Sequence, residues 1–224
     1  MRAGARGLSI VELLVATAIG LVVVAAAGGL VVAQHGAARR LQAEARLMQD
    51  LRTAADLVAR DLRRAGHWSA AAASGVRRGD EPASANPHAA LAPASAAASA
   101  VVLSFSTSGA DDDGGVADRD RFGFRLRGGA IEMQLGAANW QTLTDAGTLV
   151  VTAFTVAPRL DEISLAAFCE RPCGAASATC PPRQQVRSFA ITLAARSTTD
   201  ATVTRTLQTS VRTRNDVVVG SCEG

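Results

Sequence analysis

The sequence predicts an α+β protein: a long N-terminal helix, transmembrane in its first half and amphipathic in its second, packed on an antiparallel β-sheet head. Three observations predict it. An apolar run with no charged side chain extends from Leu13 to Val32. A stripe repeating every seven residues, flanked by charges, follows it to Ala65. From Val101 onward the period changes to the alternation of strands.

The apolar run, continued by Ala33, gives about 31 Å of helix, enough to cross a hydrocarbon core. Arg2 and Arg6 precede it, and positive charge before a span keeps that end cytoplasmic. The formal net charge is +3, and all 23 basic residues are Arg. With two of those charges at the tip, the remainder is nearly balanced and carries no general signature of nucleic-acid binding. Glu12 stands out within "RGLSIVELLVATAIGLVVV". A carboxylate at the centre of a bilayer helix costs roughly 2.5 to 3.5 kcal/mol, so it requires a partner.

In the amphipathic half, Leu41, Met48, Ala55 and Leu62 recur, with Ala45, Leu51, Val58 and Ala65 interleaved. Arg40 with Glu44, Arg46 with Asp50, Arg52 with Asp56 and Asp56 with Arg60 stand at i,i+4 spacing. Gly66 is the natural stop. Residues 8 to 65 would form a helix of about 87 Å, divided into a span over 8–33 and an amphipathic part over 34–66. Read alone, this describes a single-pass anchor with a juxtamembrane coiled coil.

The segment 67–100 is rich in Ala, Ser and Pro and reads as a long surface linker. The head, 101–224, begins with "VVLSFS". "RFGFRLR" and "AIEMQL" flank Gly128 and Gly129, a two-residue hairpin turn. "TLVVTAFTV" is a central strand, and "VRSFAITLAA" with "TVTRTLQTSVRTR" forms a terminal hairpin. The apolar face of such a sheet needs a cover, which the stripe from Leu41 to Leu62 supplies. Aromatics are only 4% and Tyr is absent, so small aliphatic side chains are expected to fill the core.

Cys169, Cys173, Cys180 and Cys222 all lie beyond the span, and an even count on an exported side points to two disulfides. The alternatives are one disulfide with free thiols, or thiolates on zinc, although the spacing is not that of usual zinc knuckles. Three pairings are open. Cys180 with Cys222 would contribute about 4 kcal/mol on chain-entropy grounds and Cys169 with Cys173 about 2, and that combination is preferred.

"GADDDGGVADRD" places Asp111, Asp113, Gly114 and Asp120 in a pattern reminiscent of a calcium loop. Gly109 takes the first ligand position, Asp replaces the bidentate Glu and no helices flank it, so a solvated acidic loop is preferred over a metal site. His35, His67 and His88 accompany no nucleophile motif, and no G-x-S-x-G or phosphate loop occurs. Surface roles are expected for them, with no enzymatic activity and no cofactor. Trp68 and Trp140 are expected to close the junction between helix and head. Arg77, Arg78, Arg125 and Arg127 would be the patch of a nucleic-acid binder, but no aromatics interleave them.

A secretory signal cut at Ala25 to Ala27 is disfavoured by Glu12 and by the apolar continuation "GGLVVA". Instead, "G-LSIVEL" resembles the class III signal of type IV pilins and pseudopilins, usually written G-FTLIEL, with Leu8 in place of the commoner Phe. The resemblance implies that a prepilin peptidase removes residues 1–7 by cutting after Gly7 and N-methylates Leu8. "LVARDLRRAGHW" resembles the segment ending the helix in PilW-type minor pilins, with His67 where an aromatic is usual, and "SVRTRN" resembles their last strand.

By that resemblance the protein would help initiate and cap a type IV pilus. Its partners would be prepilin peptidase, other minor pilins, the major pilin and a tip adhesin. It would reside in the bacterial inner membrane before assembly, and in the periplasm and cell-surface pilus afterwards. The rival readings are a J-type pseudopilin of type II secretion, a DNA-binding uptake pilin, and a cleaved periplasmic enzyme with its mature terminus at Gly28.

The resemblance also gives Glu12 a role. Cleavage would create an α-amine at Leu8, protonated below a pKa of about 8, four residues away on the same helical face. In a filament the family's Glu pairs with the amine of a neighbouring subunit. A buried charge without its partner is penalised by several kcal/mol, so misplaced subunits would be rejected. Ala16, Gly20, Ala25, Gly28 and Gly29 would let helices approach closely.

Overall fold

A computed structural model of the chain describes residues 9–74, 84–107, 115–171, 173–174 and 179–222. The first element, α1, is one continuous helix over Ile10–Arg64, followed by a short helix, α2, at Ala71–Ser74. Eight strands follow: β1 (Ala100–Ser104), β2 (Arg121–Arg127), β3 (Ala130–Leu135), β4 (Trp140–Thr142), β5 (Leu149–Ser164), β6 (Arg183–Ser197), β7 (Thr204–Arg212) and β8 (Val217–Val219). The architecture is α+β, with the long helix packed on antiparallel sheets.

There are two sheets rather than one. The first runs in the order β1-β2-β3-β4. In the second, β6 lies between β5 and β7, and β8 takes up the same edge of β6 beyond the end of β7. Gly128 and Gly129 have φ of 59° and 79°, both positive as a type I′ hairpin requires. The linker is stitched to the head more closely than its composition predicts. Ala92 bridges to Val102 and Ala98 to Val156, so one stretch of chain touches an edge of each sheet.

The helix lies against β6 and β7. Its buried stripe is Leu47, Leu51, Ala54, Ala55, Val58, Ala59 and Leu62. Leu41 and Ala45, expected in the stripe, are exposed: Leu41 lies where the helix leaves the head, and Ala45 is turned from the head beside Glu44, which still reaches Arg205 of β7. Of the four expected i,i+4 ion pairs, Arg40 with Glu44 forms at 3.3 Å. The other three do not come within ion-pairing distance; on an exposed helix face such pairs gain only tenths of a kcal/mol. Strands β6 and β7 contribute Phe189, Ile191, Leu193 and Val211 to the core. Phe105, Phe124, Phe154 and Phe189 are all fully buried, so aromatic rings carry more of the core than the composition implies.

Candidate functional site

The helix begins at a built N-terminus. Ser9 has extended backbone and its hydroxyl accepts from the Val11 N–H at 3.4 Å, as an N-cap should. Glu12 lies in the first turn, where a carboxylate is favoured by the helix dipole. Gly7 and Leu8 lie outside the described residues. From Ile10 to Val32 the helix presents large apolar side chains that touch nothing else in the described chain. Ile10 is 79% exposed and Val24 68%. The mean hydropathy of this segment reaches 2.5 and none of it is buried. An apolar surface of this extent marks a membrane or protein contact.

Where α1 leaves the head, a groove of about 880 Å³ opens between Gly36 to Asp50 and the turns at Gly147 to Thr148 and Ser197 to Asp200. Elsewhere on this part of the helix Glu44 ties α1 to the second sheet, receiving Arg40 from the helix and Arg205 from β7. Asp200 is held below the usual carboxylate range by hydrogen bonds from Thr202, and to a smaller extent by Arg40. Arg39 and Arg46 line the same groove without an ion pair among the described residues.

At the other end of the helix, two segments far apart in sequence meet. Gly66, at φ 76°, follows the helix in the left-handed conformation that a glycine tolerates. Its N–H donates to Ser104 O at 2.9 Å. The Arg214 N–H donates to Arg63 O, and the Asn215 side-chain amide donates to Arg64 O and Ala65 O. Asn86 closes the ring by donating to Gly66 O at 2.9 Å. The Arg64 guanidinium lies 4.1 Å from the centroid of Phe105, which stacks on Phe122. Thus "RDLRRAG" and "SVRTRN" form one junction.

All four cysteines are paired, but not in the preferred combination. Cys169 bonds Cys222 and Cys173 bonds Cys180, with Cα separations of 5.4 and 5.9 Å. The reason is the sheet. Pairing of β8 with Arg183 to Gln185 of β6, continued by the Ser221 N–H donating to Thr179 O, carries the C-terminal tail to Cys169. Loop entropy separates the two combinations by less than about 1 kcal/mol and slightly favours the one observed, so it gives no support to the expected pairing.

Other expectations change in place or lie outside the described residues. Asp111, Asp113 and Gly114 are outside them, and Asp120 is buried, its Oδ1 accepting from the N–H and hydroxyl of Thr107. Among the described residues no cluster of three or more metal-ligating side chains occurs. His35 and His67 are exposed, but His88 is fully buried, its Nε2 3.3 Å from the Ser106 hydroxyl. The pattern Asn-Pro-His hides this, because the turn that buries His88 is set by its N–H donating to Asn86 Oδ1. Trp68 is buried at the junction. Trp140 is not there; it lies on β4 under the Arg125 guanidinium, which also bonds Glu132 at 2.6 Å. An aromatic does therefore accompany one arginine of the basic patch, although Arg125 is already neutralised. Arg77 and Arg78 lie outside the described residues.

A family model described as PpdB, prepilin peptidase-dependent protein B, matches residues 40–213. The match starts near the point where α1 enters the head and ends at the junction. It includes neither the signal-like motif nor the apolar half of α1, so it is independent of both. No curated protein and no solved structure gives a significant match to the chain.

Proposed function

The chain belongs to the prepilin peptidase-dependent protein B family, and from that premise we propose that it is a PilW-like minor pilin that helps to initiate and cap type IV pilus assembly. Prepilin peptidase cleaves it after Gly7 and N-methylates Leu8. The processed protein performs no chemistry of its own. Its partners are the other minor pilins, the major pilin and a tip adhesin. It waits in the inner membrane with its N-terminus cytoplasmic, and its head enters the pilus on assembly.

The observation that carries this reading is the apolar half of α1, wholly exposed and with Glu12 in its first turn. Such a helix needs lipid before assembly and other helices after it, and the same surface serves both. Glu12 adds selectivity, since the α-amine that neutralises it exists only after the leader is removed. The small residues at Ala16, Gly20, Gly28 and Gly29 permit close helix packing around that pair.

Mass spectrometry of the N-terminal peptide from cells with active prepilin peptidase tests processing, and methylated Leu8 is the expected species. Retention of Met1 would contradict the reading, and a mature terminus at Gly28 would replace it with a cleaved periplasmic protein. Loss of surface pili on deletion of the gene, with type II secretion intact, separates the pilus role from that of a J-type pseudopilin.

A further inference from the structure

Strand β5 outlasts the helix that covers its sheet. The Arg214 N–H donates to Arg63 O in the last turn of α1, and the Thr213 N–H donates to Arg187 O. The helix therefore ends level with Arg187, which holds the linker by donating to Ala89 O at 2.7 Å and stands opposite Leu160 of β5. Leu160 to Ser164 project past that point, by about 16 Å, as an arm paired with β6. With no helix over them, Leu160 and Ile163, on opposite faces of the arm, are 50% and 52% exposed.

The outer edge of β5 is taken up nearer the membrane and open along the arm. Near its start the Val151 N–H donates to Gly129 O, and midway Val156 exchanges both backbone bonds with Ala98. Val156 thus turns its backbone groups outward, whereas the Leu165 N–H donates inward to Pro182 O. The register with β6 is unbroken between them, so even-numbered residues face out. The N–H and C=O of Leu160 and Glu162 point to that edge and have no backbone partner among the described residues. The linker passes close by at Pro93 and Ala94 but bonds the edge at Val156.

Native sheets guard open edges with proline, bulges or isolated charges. Beyond Pro158 the arm has neither proline nor bulge. Glu162 is turned to β6, where it receives Arg183 at 3.4 Å and Gln185 at 2.8 Å. Arg159 and Asp161 stand on the other face, both exposed, and neither has an ion pair among the described residues. Opposite signs two residues apart on one face select a strand of the complementary order rather than repel every strand.

We propose that the outer edge of β5 from Pro158 to Ser164 is a docking site for an extended segment of a partner polypeptide, added antiparallel as the next strand, with a base opposite Asp161 and an acid opposite Arg159. The pairing continues the line in which Ala98 already bonds Val156. Backbone bonds at Leu160 and Glu162 supply affinity, apolar side chains opposite Leu160 and Ile163 supply contact, and the two charges set direction and register. A second copy of this chain does not fit. Antiparallel pairing of two β5 edges reverses one α1 against the other, which two subunits anchored in one membrane cannot adopt. The site does not depend on the pilus reading and stands or falls separately.

The test is amide hydrogen exchange of the full-length chain in detergent, read by NMR at Leu160 and Glu162, with the peptide acetyl-Val-Thr-Lys-Val-Glu-Thr-amide as probe. In the dilute chain alone both amides should exchange as open ones do, and saturating peptide should slow them at least about tenfold while Asp161, bonded to β6, is unchanged. A peptide with its lysine and glutamate exchanged, and one N-methylated at the valine between them, should each bind about tenfold more weakly. Leu160→Pro removes an outward N–H, at the same parity as native Pro158, and should weaken the matched peptide about tenfold with thermal stability kept. Amides already protected in the dilute chain, equal binding of the exchanged or N-methylated peptide, or no binding of the matched one overturns the proposal. Protection that rises with protein concentration in the absence of peptide also overturns it, and assigns the edge to a second copy.

Discussion

The side-chain amide of Asn215 donates to the main-chain carbonyl of Ala65 at 3.0 Å, so the last turn of α1 is capped by a residue near the opposite end of the chain. A helix leaves its final carbonyls without partners, and here the strand-end segment supplies donors instead of water. Replacing Asn215 by Ala should cost about 1 kcal/mol, or about 2 to 4 °C in the midpoint of thermal unfolding for a protein of this size. Asn215→Asp should be worse than Ala. A carboxylate has no donor and faces the negative end of the helix dipole. If Asp is as stable as Asn in differential scanning fluorimetry, the capping role is wrong.

The depth at which α1 enters the head can be read by truncating leucines. Leu51 is fully buried, and Leu51→Ala should destabilise the head by about 2 to 5 kcal/mol. Leu41, at 66% exposure, lies on the protruding part, and Leu41→Ala should change head stability by less than about 0.5 kcal/mol. Urea denaturation followed by Trp68 fluorescence measures both. Comparable losses would mean that the stripe extends to Leu41 as its seven-residue spacing implies.

The β2–β3 hairpin is legible in the sequence because its alternation and its two glycines agree. The helix is legible because a charge-free run passes directly into a periodic one. The second half of β5 is not, since Pro158, Arg159, Asp161 and Glu162 read as a strand ending. Pairing with β6 from Pro158 opposite Phe189 to Ser164 opposite Arg183 holds it extended. Pro158 is tolerated there because its missing N–H would face the open edge, two residues on from Val156, which uses that edge to bond Ala98. Strands β4 and β8 are three residues each, too short for any period to show. Glu12 is visible as a charge out of place, and the junction is visible as two unusual segments. That those segments touch, that Cys222 meets Cys169, and that Arg187 lies under the linker all depend on tertiary register.

The two disulfides should differ in their effect on stability. Cys169 and Cys222 are separated by 53 positions and Cys173 and Cys180 by 7. On chain-entropy grounds the first contributes about 4 kcal/mol and the second about 2.5. Cys222→Ser should therefore lower the denaturation midpoint more than Cys173→Ser. Peptide mapping without reduction should recover a linked pair containing Cys169 and Cys222. A fragment joining Cys180 to Cys222 would refute the pairing.

Glu12 offers the sharpest test of the proposed assembly contact because processing and assembly can be read separately. It lies beyond the proposed cleavage site, so Glu12→Ala should leave removal of residues 1–7 and methylation of Leu8 unchanged by mass spectrometry. In the membrane the variant is easier to insert, since a carboxylate in the span carries a cost of a few kcal/mol. In the filament it should be absent or strongly depleted from sheared pili, because the neighbouring amine then lies buried without its partner. Glu12→Gln keeps the shape and removes the charge, and should fail in the same way. If Gln incorporates normally while Ala does not, packing rather than charge selects the subunit. Normal incorporation of both would remove Glu12 from the assembly contact altogether.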